Sequence, residues 1–511
     1  YTALSPEFVV SNMARDLQTA FINMTADHST KLAAKVIKDI PAAIRGSYRG
    51  IRDKAVTTEY QKWFLEYEVA GGKVEFFGLN DIAERRRHLD RLIKRADGSI
   101  LLNSWDAAKA GLDYIMDLNG AVENATRVSV YANLRQAGYS KAQSASFAKN
   151  ITVNFNRKGE LGVFLNALYL FYNAATQGVA RFAKTATSKR GAALLALTAI
   201  AGLALDALMR NIAPDDEDGK NPYDKALDAY GSRYVIIMRP DGSHYKWIMP
   251  YQYSLPFVVG QQLGAMANGQ APGKTFRKII EAAITSFNPV GGADIAQAAT
   301  PTIADPLMMM ATNTGPFGNP LYPESDDPDS EAYFRSNTPE SVRAARWLNS
   351  VTGGNEVRSG AIDIHPATID LWFRTVTGGL GSMALNFRNL NEDSHPSKVP
   401  FLKLVYGKTP EWYDQKTYYE NINELKTIKK ELDLYANNEE KLSKIEANPK
   451  SSIVDLPRSF ERDIKKINKE IKALRSNESM DDDERNDQLK MLDAERRSVM
   501  REFNLEFNRA R

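Results

Sequence analysis

The sequence predicts a mainly α protein: multi-helical, with one β-hairpin at about residues 233–249, a Pro/Gly-rich loop segment and a charged helical C-terminal tail. Three observations carry this expectation. Apolar residues recur at 3- and 4-residue steps along most of the chain, the period of a helix buried on one side. Pro240-Asp241-Gly242 stands between two runs rich in Val, Ile, Tyr and Trp, a hairpin signature. Beyond residue 411 the chain is dense in charge, with apolar seams at helical spacing.

Residues 1–150 read as a helical region with short polar breaks. Ser5 suits a cap, Pro6 the first helical position and Glu7 the first turn. In "ERRRHLDRLIKR", Ile82, Leu89, Leu92 and Ile93 share one face, and Arg85, Arg86, Arg87, Arg91, Lys94 and Arg95 cover most of the rest. Such a face either meets phosphates or is simply solvated; no aromatic residues interleave the charges. Glu123 and Arg127 stand at i, i+4, the spacing of a helical ion pair. Gly138 then stops the helix and Ser140 caps the next.

Residues 151–285 hold an apolar helical hairpin followed by the β-hairpin. Leu161, Phe164, Leu165, Leu168, Tyr172, Ala175 and Val179 recur at helical steps, with Asn166, Asn173 and Gln177 opposite. After "KTATSKR" comes a second apolar segment, Gly191 to Met209, rich in Gly and Ala that permit close helix approach. Its uncharged run before Asp206 is about 15 residues, short of the ~20 that span a bilayer. Two readings stay open: a buried hairpin and a membrane-contacting one. For the second, Phe164, Leu168, Tyr172, Leu194, Leu197, Ile200 and Leu203 are the candidate contacts.

Residues 286–410 change character. They are rich in Pro and Gly yet carry apolar anchors such as Phe287, Leu307 and Tyr322, as expected of an ordered loop-rich segment wrapping helices, with short helices of its own. Pro339 opens one such helix. There Glu340-Ser341 resembles the catalytic Glu-Ser of lytic transglycosylases, but at a helix start it reads as a capping feature.

Residues 411–511 form a charged, antiparallel helical tail. Ile422, Leu425, Ile428, Leu432 and Tyr435 make one seam; Phe460, Ile464, Ile467, Ile471 and Leu474 a second; Leu489, Leu492, Val499 and Phe503 a third. Asn448-Pro449 and Pro457 break it. So many seams imply intersubunit contacts and a symmetric homo-oligomeric ring. Lys465, Lys466 and Lys469 lie in a basic stretch that, with Arg85, Arg86 and Arg87, is the candidate nucleic-acid contact.

Bulk chemistry narrows function further. The 511 residues suit two to four compact units. Lys and Arg number 66 against 63 Asp and Glu, so the whole chain is not a polyanion binder. Cysteine is absent, which excludes disulfides and Cys-based metal or nucleophile sites. His28, His88, His244, His365 and His395 never fall at i, i+4, so no His-metal spacing exists. There is no P-loop, no dinucleotide fingerprint and no defensible triad. No catalytic, cofactor or metal residue is expected. "YTALSPEFVV" has neither an initiator Met nor a signal segment, and the expectation is a piece of something larger.

Several stretches, in order, resemble a large polyvalent-protein-associated domain of phage and mobile-element proteins. They are "SPEFVVSNMARD" (Ser5 to Asp16), "ENATRVSVYANLRQAGYSKAQSASFAKNITVNFNRKG" (Glu123 to Gly159), "YKWIMPYQYSLPFVVG", "FNPVGG", "NTGPFGNPLYPE" and "SGAIDIHPATIDLWFRTVTGGLG" (Ser359 to Gly381). The resemblance runs over roughly residues 1–385. It implies the C-terminal part of an internal virion protein of a short-tailed phage. Such a protein is packaged in the capsid interior or tail lumen, beside other internal proteins or the portal and tail. It is ejected ahead of the genome and reassembles across the host envelope, at the inner membrane or periplasm, as a DNA conduit. The resemblance supplies no catalytic residues. The alternatives are a fragment of a peptidoglycan-cleaving enzyme, or an injected nucleic-acid-binding or polymerase-associated module.

Overall fold

The computed structural model describes residues 5–52, 54–72, 99–152, 154, 172–212, 220–287, 305–313, 321, 330, 332, 339–355, 358–388, 390, 395–408, 412–475 and 482–510. These residues are mainly helical, with a small antiparallel sheet. They fall into two compact units. One comprises residues 1–205, 232–235 and 247–404; the other comprises 206–231, 236–246 and 405–511.

Among its described residues the first unit begins with six helices around one core: α1 (Pro6–Asp27), α2 (Thr30–Lys38), α3 (Ile40–Ile51), α4 (Glu59–Val69), α5 (Ser99–Gln136) and α6 (Lys141–Lys149). Their starts follow local chemistry. The Ser5 hydroxyl accepts from the Phe8 N–H at 3.3 Å, with Pro6 at the first position. Ser140 and Gln143 form a reciprocal capping box on α6, just after Gly138 ends α5. Met24, Val36, Phe64, Tyr67, Tyr131, Leu134 and Ile151 pack together in the core. The expected pair of Glu123 and Arg127 forms at 3.4 Å, but Arg127 is almost wholly buried.

The same unit continues with α7 (Tyr172–Thr187), α8 (Lys189–Met209, in this unit to Leu205), α10 (Ser254–Ala267), α11 (Pro272–Phe287), α12 (Asp305–Thr312), α13 (Pro339–Val351), α14 (Pro366–Arg388) and α15 (Leu402–Val405, in this unit to Leu404). A buried polar knot joins α7 and α10 to α1. The Asn23 amide donates to the Ile151 carbonyl at 2.8 Å, and its oxygen accepts from Tyr253 at 2.6 Å and Thr185 at 3.2 Å. With these partners a fully buried Asn is satisfied rather than costly.

The second unit holds α9 (Pro222–Tyr230), residues 236–246 of the hairpin and the tail. Strands β1 (Tyr234–Met238) and β2 (His244–Ile248) turn where the sequence placed the bend. Gly242 has φ +75°, open to a residue without Cβ. The Arg239 N–H donates to the Ser243 carbonyl at 2.8 Å, and the Asp241 carboxylate accepts from the Ser243 N–H at 3.0 Å. The hydrogen bond from the Ser243 hydroxyl at 2.5 Å, and after it that from the Ser243 N–H, hold the Asp241 carboxyl below its ordinary value. The sequence did not foretell β3 (Tyr406–Gly407). It pairs antiparallel with β2, His244 opposite Gly407 and Tyr245 opposite Tyr406, giving the order β1-β2-β3. Gly407 is required there: a Cβ would strike the buried His244 imidazole.

The tail helices are α16 (Trp412–Leu434), α17 (Glu439–Glu446), α18 (Pro457–Arg475) and α19 (Asp482–Arg509). α18 and α19 run antiparallel: Phe460 meets Phe503 with ring centroids 5.4 Å apart, and Arg496 donates to Asn468 at 3.1 Å. The three seams bury against one another. Ile422, Leu425, Ile428, Ile464 and Phe503 share one cluster, and Ile467, Ile471 and Leu489 another. The apolar surface that motivated an expectation of intersubunit packing is therefore largely consumed within one chain. Asp414 anchors α16, accepting from Arg501 at 2.7 Å and facing Lys225 at 4.0 Å.

Candidate membrane-contact surface

α7 and α8 are separated by one residue. Ser188 breaks the run and caps α8, its hydroxyl accepting from the Gly191 N–H at 3.0 Å. α7 is held to the body: Gln177 brackets Asn154 from both sides, accepting from its N–H at 2.9 Å and donating to its carbonyl at 2.8 Å, while Arg181 pairs with Asp27 at 2.5 Å. The sequence placed Gln177 on the polar face, and the structure uses it as a strap.

α8 is different. It is 21 residues long and apolar enough to cross a membrane, and only 17 % of its most apolar window is buried. At ~1.5 Å per residue it is about 31 Å long, close to the ~30 Å hydrocarbon core of a bilayer. The sequence measured the segment by its uncharged run before Asp206, which is shorter than the helix. Asp206 does not end the helix. Arg210, one turn on, donates to both of its oxygens at 2.9 and 3.0 Å and also reaches Asp224 at 2.9 Å. The Asp206 carboxylate is fully buried, and its charge is met inside this cluster. Its own burial, the largest single influence, lowers the Arg210 guanidinium, but the hydrogen bonds that it donates to Asp206 and Asp224 outweigh this and raise it.

The candidate contacts divide accordingly. Leu197 is 61 % exposed, Ile200 60 % and Leu203 41 %; Leu194 is half-buried. Phe164 and Leu168 lie outside the described residues, and so does the side chain of Tyr172 at the start of α7. Among the described residues α8 is thus left largely uncovered. Its small residues serve one crossing. The backbones of α8 and α10 touch at Gly202 and Gly260: a Cβ on Gly202 would strike the Phe257 carbonyl, and one on Gly260 the Ala199 carbonyl. Close crossing through small residues is the way apolar helices associate where no hydrophobic driving force separates them from solvent.

α11 adds a second apolar face, which the sequence reading missed. It packs on α10 through buried Thr275, Ala282 and Ser286. Phe276, Ile280 and Ile284 point outward, 66 %, 42 % and 62 % exposed. Their i, i+4, i+8 spacing was visible in the sequence; only the structure shows that this face, not its opposite, is bare.

The other candidates resolve as follows. Arg85, Arg86 and Arg87 lie outside the described residues, so the expected joint basic surface does too. Lys465, Lys466 and Lys469 are exposed on α18, where Lys466 faces Glu470 at 4.0 Å. Glu340 pairs with Arg388 at 2.5 Å and Arg343 at 3.3 Å, as a helix-start carboxylate does. Ser341 donates to Asp370 at 2.5 Å. Among the described residues no three His, Asp or Glu side chains gather as metal ligands do.

Residues 220–402 match the model of a family described as large polyvalent protein associated domain 38. The chain therefore carries the domain that its sequence resembles. The match starts later than the resemblance drawn from residue 1: the stretches Ser5–Asp16 and Glu123–Gly159 lie before it, while α10, α11 and α14 lie within it. No curated protein and no solved structure matches the chain.

Proposed function

We propose that this chain is a non-enzymatic structural part of a phage polyvalent protein, carried in the virion and delivered into the host envelope with the genome. In that setting α8 enters the lipid. The observation that carries the reading is α8 itself, a 21-residue apolar helix left largely uncovered. In water that bare surface is a liability, because exposed apolar patches of this kind mark a site of association. In a bilayer it is the favourable state. Several copies would be needed to line a conduit for DNA, so a homo-oligomer formed with lipid, beside other virion proteins, belongs to the proposal.

The test is flotation of the full chain with phosphatidylcholine vesicles, alongside Leu197→Arg. An Arg at the centre of a lipid-embedded helix costs about 2.5–3.5 kcal/mol on insertion scales, and Leu197 is exposed in the folded chain, so folding should survive. The expected result is that the parent floats with lipid and the variant binds at least about 50-fold more weakly. A parent chain that stays in the aqueous phase rejects the reading. Sedimentation of the lipid-extracted protein then reports whether it assembles.

A further inference from the structure

We propose that α11 is an anionic-lipid-binding element, seated on a bilayer surface through Phe276, Ile280 and Ile284 with its basic flank among the headgroups. This rests on the membrane reading above and specifies the lipid. At 100° per residue, the three apolar side chains form a stripe 80° wide on the helix. Arg277 borders that stripe and Lys274 follows on the same side, whereas Lys278 lies further round, next to the buried face. Lys274 and Arg277 are exposed and Lys278 is half-buried. The opposite face, at Thr275, Ala282 and Ser286, is the one buried against the protein.

Charge complementarity selects the occupant. Against the two exposed cations of this flank, Lys274 and Arg277, stands one carboxylate on the helix, Glu281, giving a net charge of +1 (two minus one). Glu281 pairs with Arg277 at 3.5 Å, but both side chains are more than 60 % exposed, so the pair is weak and screened. A wholly apolar protein partner would leave the basic flank unmatched, and a nucleic acid would leave the apolar stripe in water. A surface of anionic phospholipid satisfies both, as it does for basic amphipathic helices lying in the interfacial plane. The 16-residue helix is too short to span, which fits a helix lying flat beside α8 rather than crossing with it.

The experiment measures binding of the full chain to phosphatidylcholine vesicles and to phosphatidylcholine vesicles containing phosphatidylglycerol, at low and high salt, with Lys274→Gln/Arg277→Gln as the variant. Both replaced side chains are exposed, so the fold is retained. The parent should prefer the anionic vesicles by at least about 30-fold at low salt, the worth of two interfacial cations at about 1 kcal/mol each, and lose that preference at high salt. The variant should bind both vesicle types alike, at the level of the parent on neutral lipid. Equal binding of the parent to both vesicle types overturns the inference and leaves the insertion of α8 standing. An anionic preference that persists in the variant overturns the assignment to α11. Lack of binding to either vesicle rejects this inference together with the membrane reading. Binding of a DNA duplex with the same dependence on Lys274 and Arg277 overturns the lipid assignment in favour of nucleic acid.

Discussion

Gly202 on α8 and Gly260 on α10 form a reciprocal contact in which each glycine lies against the backbone of the other helix, with no room for a Cβ on either. The atoms in the way are main-chain carbonyls, which cannot rotate aside as a side chain can. Gly260→Val should therefore force the helices apart and lower the stability of the first unit by about 1–3 kcal/mol. Urea unfolding checks this. A midpoint unchanged from the parent would show that the crossing is not a constraint.

The buried Asp206 gives a second prediction. Arg210→Ala strips the guanidinium that meets both carboxylate oxygens and should cost about 3–5 kcal/mol. Lysine should rescue poorly, because a point charge cannot make the two parallel hydrogen bonds. Removing both charges, as Asp206→Leu/Arg210→Met, should be far milder than Arg210→Ala alone. Chemical denaturation of the three variants provides the comparison, and a double variant no better than Arg210→Ala would refute the argument.

In the second unit, Asp414 gathers Arg501 and Lys225, drawing α19 and α9 onto α16. Asp414→Ala should speed amide hydrogen exchange in α9 and in the first turns of α16 together, with α18 much less affected. Exchange that rises only around residue 414 would mean that the carboxylate holds its own helix and nothing more.

His365 sets a pH dependence in the first unit. Burial lowers the imidazole from 6.5 to about 4, and its Nδ1 accepts from the Ala367 N–H at 3.0 Å at the start of α14. Protonation would remove that acceptor and place a cation at the positive end of the helix. A histidine whose folded pKa is lowered contributes stability above its unfolded pKa and loses it as pH falls. The loss should run from about pH 6.5 down to about pH 4, reaching about 2 kcal/mol between pH 7 and pH 5. His365→Asn, which keeps an acceptor, should flatten this part of the stability–pH curve. A parent curve already flat over the same range would count against it.

Local signals in this chain are legible where they need no third dimension. Pro240-Asp241-Gly242 announces its turn, Ser5 and Ser140 announce their helices, and the seam of Ile464, Ile467 and Ile471 announces a buried face. What the sequence withholds is which partner covers a surface. Glu123 and Arg127 read as a helical ion pair, but the burial of Arg127 is not legible there, because depth depends on helices far away in the chain. Asp206 reads as the end of an apolar run, because its neutralisation by Arg210 is a matter of side-chain geometry. The stripe of Phe276, Ile280 and Ile284 looks like any core-facing stripe until the structure shows that Thr275, Ala282 and Ser286 face inward instead. β3 escapes notice for a simpler reason: two residues have no alternation to read.

That two-residue strand has a consequence for synthesis. In the order β1-β2-β3, the hairpin presents one open edge of β2 until Tyr406 and Gly407 emerge, about 160 residues after β2 is complete. At typical translation rates the wait is roughly 8–30 s. During it, the row of unpaired amides beside His244 and Tyr245 is a template for any passing strand, including the same hairpin on a neighbouring nascent chain. Ribosomes queued on one message would hold such hairpins close together, so the yield of native protein should depend on how densely its message is loaded.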